Sequence, residues 1–254
     1  VRAFFSTFLK KLKGFHTIPY LFLQIIVMKK LSIIFLSLAL FSLQGACQSS
    51  NEGNKKAEAE AQANLTPKEV PAENGLERAY FASGCFWCVE AIYESVKGVK
   101  ESISGYSGGH TDYPTYELSN TGRTGHAEAV EIIYDPEVVS FATLVDVYFG
   151  SQNVTQINGQ GPDRGSQYRS IIFYQNDEQK KVIEEKVAEQ EKIYGEGKVA
   201  AQVLPFQKFW IGEGYHQDFE KRNPNHPYIQ NVSIPRLKRF QKKFPHLLKG
   251  NEEH

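Results

Sequence analysis

The apolar positions change period several times along the chain, and each change marks an element. Glu77–Ala82 is a short apolar-rich run that reads as a strand, ended by Gly84. Cys85 to Ser95 has helical spacing, with good helix formers in Val89, Glu90, Ala91 and Glu94. A second strand is expected from Val99 to Tyr106, running into the glycine-crowded loop Gly105-Tyr106-Ser107-Gly108-Gly109. Glu128 to Tyr134 alternates as a strand and stops at the turn Asp135-Pro136. Phe141 to Phe149 is helical, with Phe141, Leu144, Val145 and Tyr148 at 3–4 spacing. Then come a strand at Tyr168–Tyr174, a charged amphipathic helix at Asp177–Tyr194 and a strand at Val199–Phe206. Shorter helical pieces are expected near His216–Arg222 and Pro235–Phe244. The order β-α-β-β-α-β-α-β contains the split unit β-α-β-β-α-β. The expected fold is therefore α+β, a ferredoxin-like two-layer α/β sandwich with a mixed sheet and helices over one face. One domain is expected over residues 76–245, with a tail at 246–254 and no internal repeat.

Ahead of that domain the pattern is not one of folding. Met28-Lys29-Lys30 is a charged head, Leu31 to Leu43 is an apolar run broken only by serines, and Gly45-Ala46-Cys47 follows. A charged start, a short apolar stretch and small residues before a cut form a secretory signal at 28–46. The run is too short for a comfortable membrane-spanning helix. Cys47 directly after the small residues resembles the acylated first residue of a bacterial lipoprotein, although Gln44 stands where an aliphatic residue is usual. The alternative is a plain signal peptide with Cys47 as a spare thiol. Residues 1–27 read as a mis-called upstream extension, with a two-part membrane anchor as the alternative. Residues 47–75 are polar and lack aromatic side chains, so they read as a flexible tether. The expected location is extracytoplasmic, on a lipid anchor in the periplasm of a bacterial envelope.

Composition narrows the function classes. There are 29 acidic and 29 basic side chains, so no net charge favours a grip on nucleic acid. The chain has 17 Phe and 13 Tyr, enough to build a dense core or line a pocket with rings. The single Met is Met28, so a chain beginning after the signal carries none, which suits an oxidising setting; chance with composition drift is the alternative reading. The three cysteines, Cys47, Cys85 and Cys88, are too few for a disulfide-stapled scaffold. A monomer is expected.

Gly84-Cys85-Phe86-Trp87-Cys88 lies where a strand turns into a helix. At a helix N-terminus the free N–H groups and the macrodipole favour a thiolate at Cys85. Residues i and i+3 share a helix face, which brings two thiols within disulfide reach. Three other readings stand beside a redox pair: half of a zinc site, a passive structural disulfide and a thioredoxin-like oxidoreductase. The bulky apolar Phe86-Trp87 is closer to part of a small-substrate pocket than to a docking face for large disulfides.

Four stretches in order carry a family resemblance: Gly84 to Glu90; Gly105 to Gly109; Pro114-Thr115-Tyr116 running to Thr124-Gly125-His126-Ala127-Glu128-Ala129-Val130; and Gly161-Pro162-Asp163-Arg164-Gly165-Ser166-Gln167-Tyr168-Arg169-Ser170. Together they resemble the A-type peptide-methionine sulfoxide reductases over roughly residues 77–220. The resemblance implies a single catalytic domain that reduces the S epimer of methionine sulfoxide, free or in oxidised proteins, and so repairs them. It implies Cys85 as nucleophile, Glu128 as acid, and Tyr116, Tyr168 and Asp163 as polar groups about the sulfoxide oxygen. Phe86 and Trp87 would hold the methyl group. Glu128 can give a proton near pH 7 only if burial raises its pKa. Attack by Cys85 would leave a sulfenic acid, and Cys88 would condense with it to a disulfide. No cofactor or metal is implied; an external thioredoxin-like thiol would supply the electrons. Many members have Gly at the position of Cys88 and a recycling Cys in the tail, but Gln241 to His254 contains none. Gln152-Asn153-Val154-Thr155 also departs from the usual His-Asp-Pro-Thr. His126 and His216 read as structural hydrogen-bonders, Tyr106 as packing, and Glu90 as electrostatic support for the helix.

Overall fold

The computed structural model describes residues 61–250. The expected segments 1–27 and 28–46, Cys47 with the rest of the tether to residue 60, and the last four residues of the tail lie outside the described residues.

The elements follow the hydrophobic periodicity closely. Strand β1 (Glu77–Ala82) leads to helix α1 (Phe86–Glu94) and strand β2 (Val99–Ser107). A short helix α2 (Tyr116–Asn120) precedes β3 (Ala127–Tyr134) and α3 (Phe141–Gly150). A two-stranded ribbon, β4 (Gly159–Gln160) with β5 (Asp163–Arg164), precedes a 3-10 turn at Ser166–Tyr168 and β6 (Ile171–Tyr174). Then come α4 (Asp177–Tyr194), β7 (Gln202–Pro205), β8 (Phe209–Ile211) and α5 (Phe219–Arg222). A π-helical turn at Ile229–Ser233 runs directly into α6 (Ile234–Lys243), and a 3-10 turn follows at Pro245–Leu247.

The main sheet has the order β7-β6-β1-β3-β2-β8. Its four inner strands pair antiparallel as β6-β1-β3-β2, the arrangement of a doubled split β-α-β unit. Only β7 joins parallel, on β6, which makes the sheet mixed. The α+β, ferredoxin-like expectation therefore holds.

Both faces of the sheet are covered. Phe81, Val130, Ile132 and Tyr134 face the helical layer with Ile92, Tyr93, Leu144 and Tyr148. Tyr80, Ala82, Ala127 and Ala129 point the other way, into a second cluster with Phe173, Leu204 and Phe206. Tyr80 stacks on Phe206 with ring centroids 3.8 Å apart. The alternation of successive strand side chains between faces thus buries both sets.

Several expectations are corrected. Tyr168 belongs to the 3-10 turn and not to the strand, which begins at Ile171, because Gly165 at φ 133° turns the chain first. The described end of the tether is docked rather than free. Lys68 N–H donates to Phe206 O at 2.8 Å, and Val70 N–H donates to the Gln175 side chain at 2.8 Å. The chain also stays in the fold past residue 245, since Lys249 N–H donates to Ser95 O at 3.0 Å. Among the described residues no helix is long and apolar enough to cross a membrane.

Candidate active site

The turn from β1 into α1 fixes the site. Gly84 has φ +82°, and a Cβ there would meet Gln160 Cβ at 2.5 Å, so only glycine fits. Cys85 caps α1, and its own carbonyl accepts from Val89 N–H at 3.3 Å. Cys85 and Cys88 are both buried free thiols, one helical turn apart.

Glu128 comes from β3, on the same face as Val130 and Ile132, so its side chain enters the layer of α1. Its carboxylate accepts the Phe86 N–H at 3.0 Å. Burial pushes its pKa up to about 8, with a further rise from the nearby Asp163 and Cys88 charges, against the Phe86 hydrogen bond. The carboxyl is therefore neutral near pH 7 and able to give a proton.

Rings enclose the space above it. Phe86 lies 5.8 Å from Tyr106, 6.4 Å from Tyr116 and 4.7 Å from His216 between ring centroids. Trp87 stacks on Phe219 at 3.7 Å and meets Tyr228 edge-to-face at 5.9 Å. Its indole N–H donates to His216 Nδ1 at 3.1 Å, which leaves the proton of this buried imidazole on Nε2. Burial lowers the His216 pKa, so the ring stays neutral. His126 is also structural: Nδ1 accepts from Gly109 N–H at 3.1 Å, and Nε2 meets Thr111 O at 2.8 Å.

Tyr116 and Tyr168 both have pKa values raised by burial first and also by the charges of Glu128 and Cys85. Asp163 is brought to the same place by β5, but its hydrogen bond comes from a residue that the sequence did not single out. The Tyr228 hydroxyl donates to Asp163 Oδ2 at 2.6 Å and lies 3.7 Å from Cys88 Sγ. Asp163 thus organises Tyr228.

Two further residues escaped the sequence. Glu213 accepts Tyr106 O–H and Tyr116 N–H, each at 2.8 Å, and so fixes Tyr116 against the floor of the site. Its signal was the pair of flanking glycines in Gly212-Glu213-Gly214, a loop signature close to His216. Arg236 of α6 is buried, donating to Ser151 O at 2.9 Å and to Ser83 O and Ser83 Oγ at 3.0 Å. It sits in a helix of exposed lysines and arginines, so nothing in the local pattern set it apart.

The two thiols are not alike. Burial pushes Cys85 well up, helped by its hydrogen bond with Cys88 and the charges of Cys88 and Glu128. The hydrogen bond from Cys85, with the Arg236 charge and the Ser233 and Tyr228 hydroxyls, outweighs burial and lowers Cys88 to about 6. Burial thus works against the thiolate expected at Cys85. The first helical amide, Phe86 N–H, goes to Glu128 rather than to the Cys85 sulfur. Glu90 is buried and more than an electrostatic support: it accepts from Ser104 O–H at 2.9 Å and Asp218 N–H at 3.0 Å, pinning α1 to β2 and the start of α5. Among the described residues no group of three or more His, Cys, Asp or Glu side chains is placed to hold a metal ion.

A ferredoxin-like core with a paired thiol at a helix N-terminus, facing a neutral buried carboxyl inside a ring-lined pocket, defines a thiol-based oxidoreductase domain. The profile of one family, described as peptide methionine sulfoxide reductase, matches residues 77–248, and the chain belongs to this family. A peptide methionine sulfoxide reductase MsrA of Saccharolobus solfataricus is 45% identical over 177 residues, which cover 70% of this chain and 99% of that protein. One from Thermus thermophilus is 43% identical over 173 residues, covering 68% and 98%. Among solved structures, methionine sulfoxide reductase A of Corynebacterium diphtheriae superposes with a TM-score of 0.54 at 30% identity, covering 63% of this chain and 83% of that one. The reduced form of Mxr1 from Saccharomyces cerevisiae gives 0.55 at 32% identity, covering 63% and 91%.

Proposed function

We propose that this protein reduces the S epimer of methionine sulfoxide, free or in oxidised proteins, with Cys85 as nucleophile. The observation that carries the reading is the buried Glu128 carboxyl beside the thiols, with its pKa at about 8. The sulfoxide oxygen takes the Glu128 proton while the phenols of Tyr116 and Tyr168 hydrogen-bond to it. Phe86 and Trp87 hold the methyl group. The Cys85 proton passes to its hydrogen-bonded neighbour Cys88, and the Cys85 sulfur attacks the substrate sulfur. Methionine leaves, and Cys85 keeps the oxygen as a sulfenic acid. Cys88 then attacks that sulfur. The S–O bond breaks, the Cys88 proton leaves with the oxygen as water, and a Cys85–Cys88 disulfide forms.

An external thioredoxin-like dithiol returns the disulfide to two thiols, without a bound cofactor. The two-cysteine arrangement supports this reading, because it stores both electrons of one turnover in an exchangeable bond. Export on a Cys47 lipid anchor completes the proposal; it rests on the signal pattern of residues 28–47. Mass analysis of the amino-terminal peptide from membranes tests it, and an unmodified Cys47 would refute acylation.

The test of the activity is epimer-resolved reduction of methionine sulfoxide by the full chain with dithiothreitol. Loss of the S epimer alone is expected. No turnover by the folded chain, or equal loss of both epimers, would overturn the reading.

A further inference from the structure

The loop between β8 and α5, residues 212–218, is held against β2 as one rigid piece. Gly212 N–H donates to Ser104 O at 2.9 Å. Ser104 N–H donates to the Gln217 side chain at 2.9 Å, and the Gln217 amide donates back to Ser104 O at 2.9 Å and to Gly212 O at 3.1 Å. Within the loop, His216 N–H donates to Glu213 O at 2.8 Å. From this base the side chains of Glu213 and His216 reach the walls of the ring-lined pocket.

His216 is 1% exposed and packs among the rings of Phe86, Trp87, Tyr116 and Tyr215, with centroids 4.1 to 5.7 Å apart. A plain phenyl ring would fill that space as well. What the imidazole adds is two nitrogens. Nδ1 accepts the Trp87 indole N–H at 3.1 Å. Nε2 carries the proton and finds no hydrogen-bond partner among the described residues, but it lies 3.7 Å from Glu213 Oε2. A carboxylate there favours the tautomer with its proton on Nε2, which leaves Nδ1 free to accept. The same carboxylate accepts Tyr106 O–H and Tyr116 N–H.

We propose that His216 is a positioning residue of the substrate pocket: with its tautomer set by Glu213, it fixes the in-plane orientation of the Trp87 ring and so the wall that meets the substrate methyl group. This rests on the reading above that Phe86 and Trp87 hold that group.

The reason lies in what stacking leaves free. Trp87 lies on Phe219 with planes 8° apart and centroids 3.7 Å apart. Such a stack fixes the plane of the indole. It resists sliding and rotation within that plane only weakly, because dispersion is not directional. A hydrogen bond is directional, so the indole N–H to Nδ1 bond supplies the constraint that the stack lacks. Glu213 meanwhile refers Tyr116 of α2 to the same loop. The methyl wall on α1 and the phenol for the sulfoxide oxygen on α2 are thus set from one rigid segment. A displacement of about an ångström is enough to spoil a reacting geometry.

The test uses the full chain and two substitutions that trade packing against hydrogen bonding. His216→Phe keeps a ring and loses both nitrogens. His216→Asn loses the ring, but its side-chain oxygen stands near the place of Nδ1 and can accept the indole N–H. Kinetics are measured with dithiothreitol on the S epimers of methionine sulfoxide and of its S-ethyl homologue, with thermal unfolding alongside. His216→Phe is expected to melt higher than His216→Asn and yet to raise the KM for methionine sulfoxide about tenfold, with kcat within about threefold of wild type. Its methyl-over-ethyl ratio of kcat/KM is expected to fall about five- to tenfold. His216→Asn is expected to keep KM and that ratio within about threefold of wild type. A packing role alone gives the opposite order, with the kinetic loss following the melting temperature, and overturns the proposal. Equal losses in the two variants, or no loss in either, overturn it as well. The indole ¹H–¹⁵N resonance of Trp87, told from that of Trp210 by Trp210→Phe, gives a direct readout. Slow exchange with solvent is expected in the wild type and in His216→Asn, and fast exchange in His216→Phe; equal exchange in all three overturns the proposal. No turnover by the folded wild type sinks the substrate reading and this proposal together, whereas wild-type turnover with unaltered variants sinks this proposal alone.

Discussion

Cys85 and Cys88 lie one helical turn apart on α1, yet they face surroundings of opposite electrical character. Cys85 shares its space with a buried carboxyl, Glu128, and with the rings of Phe86 and Trp87. Cys88 faces the guanidinium of Arg236 and the hydroxyls of Ser233 and Tyr228. The first environment penalises negative charge, so both Cys85 and Glu128 keep their protons. The second favours it and lowers the Cys88 pKa. Burial alone therefore does not decide a thiol's state, since both sulfurs are buried; the nearest charges and donors do. A proton for the sulfoxide oxygen and an anion to receive the nucleophile's proton are held side by side without cancelling.

The strongest way to break this division is to remove each sulfur in turn. Cys85→Ser is expected to cut methionine formation by at least about 10⁴-fold, because no other group attacks the substrate sulfur. Cys88→Ser is expected to release one methionine per chain and then stop with thioredoxin. Rapid-quench assays of the first turnover separate the two. Steady thioredoxin-driven turnover by Cys88→Ser would show that the sulfurs do not divide the work.

Next in size, Glu128→Gln is expected to lower kcat/KM by about 10²–10³-fold. Wild-type kcat/KM should fall as pH rises through about 8, where Glu128 loses its proton. The variant should lack that limb, and a pH–rate profile decides it. Tyr228→Phe has a smaller expected effect, slowing both the first methionine release and disulfide formation about three- to tenfold, since its hydroxyl lowers both sulfurs. It removes the hydroxyl between Asp163 and Cys88. Unchanged rates of both steps in rapid-quench assays would show that the hydroxyl serves neither sulfur.

The smallest expected effect is on stability. The unfolded Glu128 carboxyl ionises near its ordinary 4.5, whereas the folded one holds its proton to about 8. Folding thus binds the proton more tightly, and the wild type loses stability as pH rises between those values. A neutral glutamine side chain in place of Glu128 avoids that loss. Glu128→Gln is therefore expected to melt about 2–4 °C higher than the wild type at pH 8, with little gain at pH 5. Thermal unfolding at the two pH values checks the sign.

Much of the fold was legible because its signals are local. The helical spacing of Asp177–Tyr194 and the strand Glu77–Ala82 match their elements end to end. The helix after Gly84 begins one residue past Cys85, as its cap requires. Shorter pieces were missed where no period has room to show. Tyr116–Asn120 spans barely more than one turn, and Phe209–Ile211 is a three-residue edge strand held by its pairing with β2. The π-helical turn at Ile229–Ser233 has no period of its own to read, since it runs straight into α6.

By itself the sequence determined the order of the longer elements, the C-x-x-C pair at a strand-to-helix turn and, through four ordered motifs, the family. The tertiary structure alone decided which charges and donors surround each thiol. At Cys85 it places burial and the carboxyl of Glu128, itself held by Phe86 N–H. At Cys88, α6 packs against α1 so that a buried arginine, remote in the chain, adds its charge. Periodicity reports which face of an element is buried. It carries no information on which distant charge is buried beside it, and in a low-dielectric interior that charge sets the protonation state.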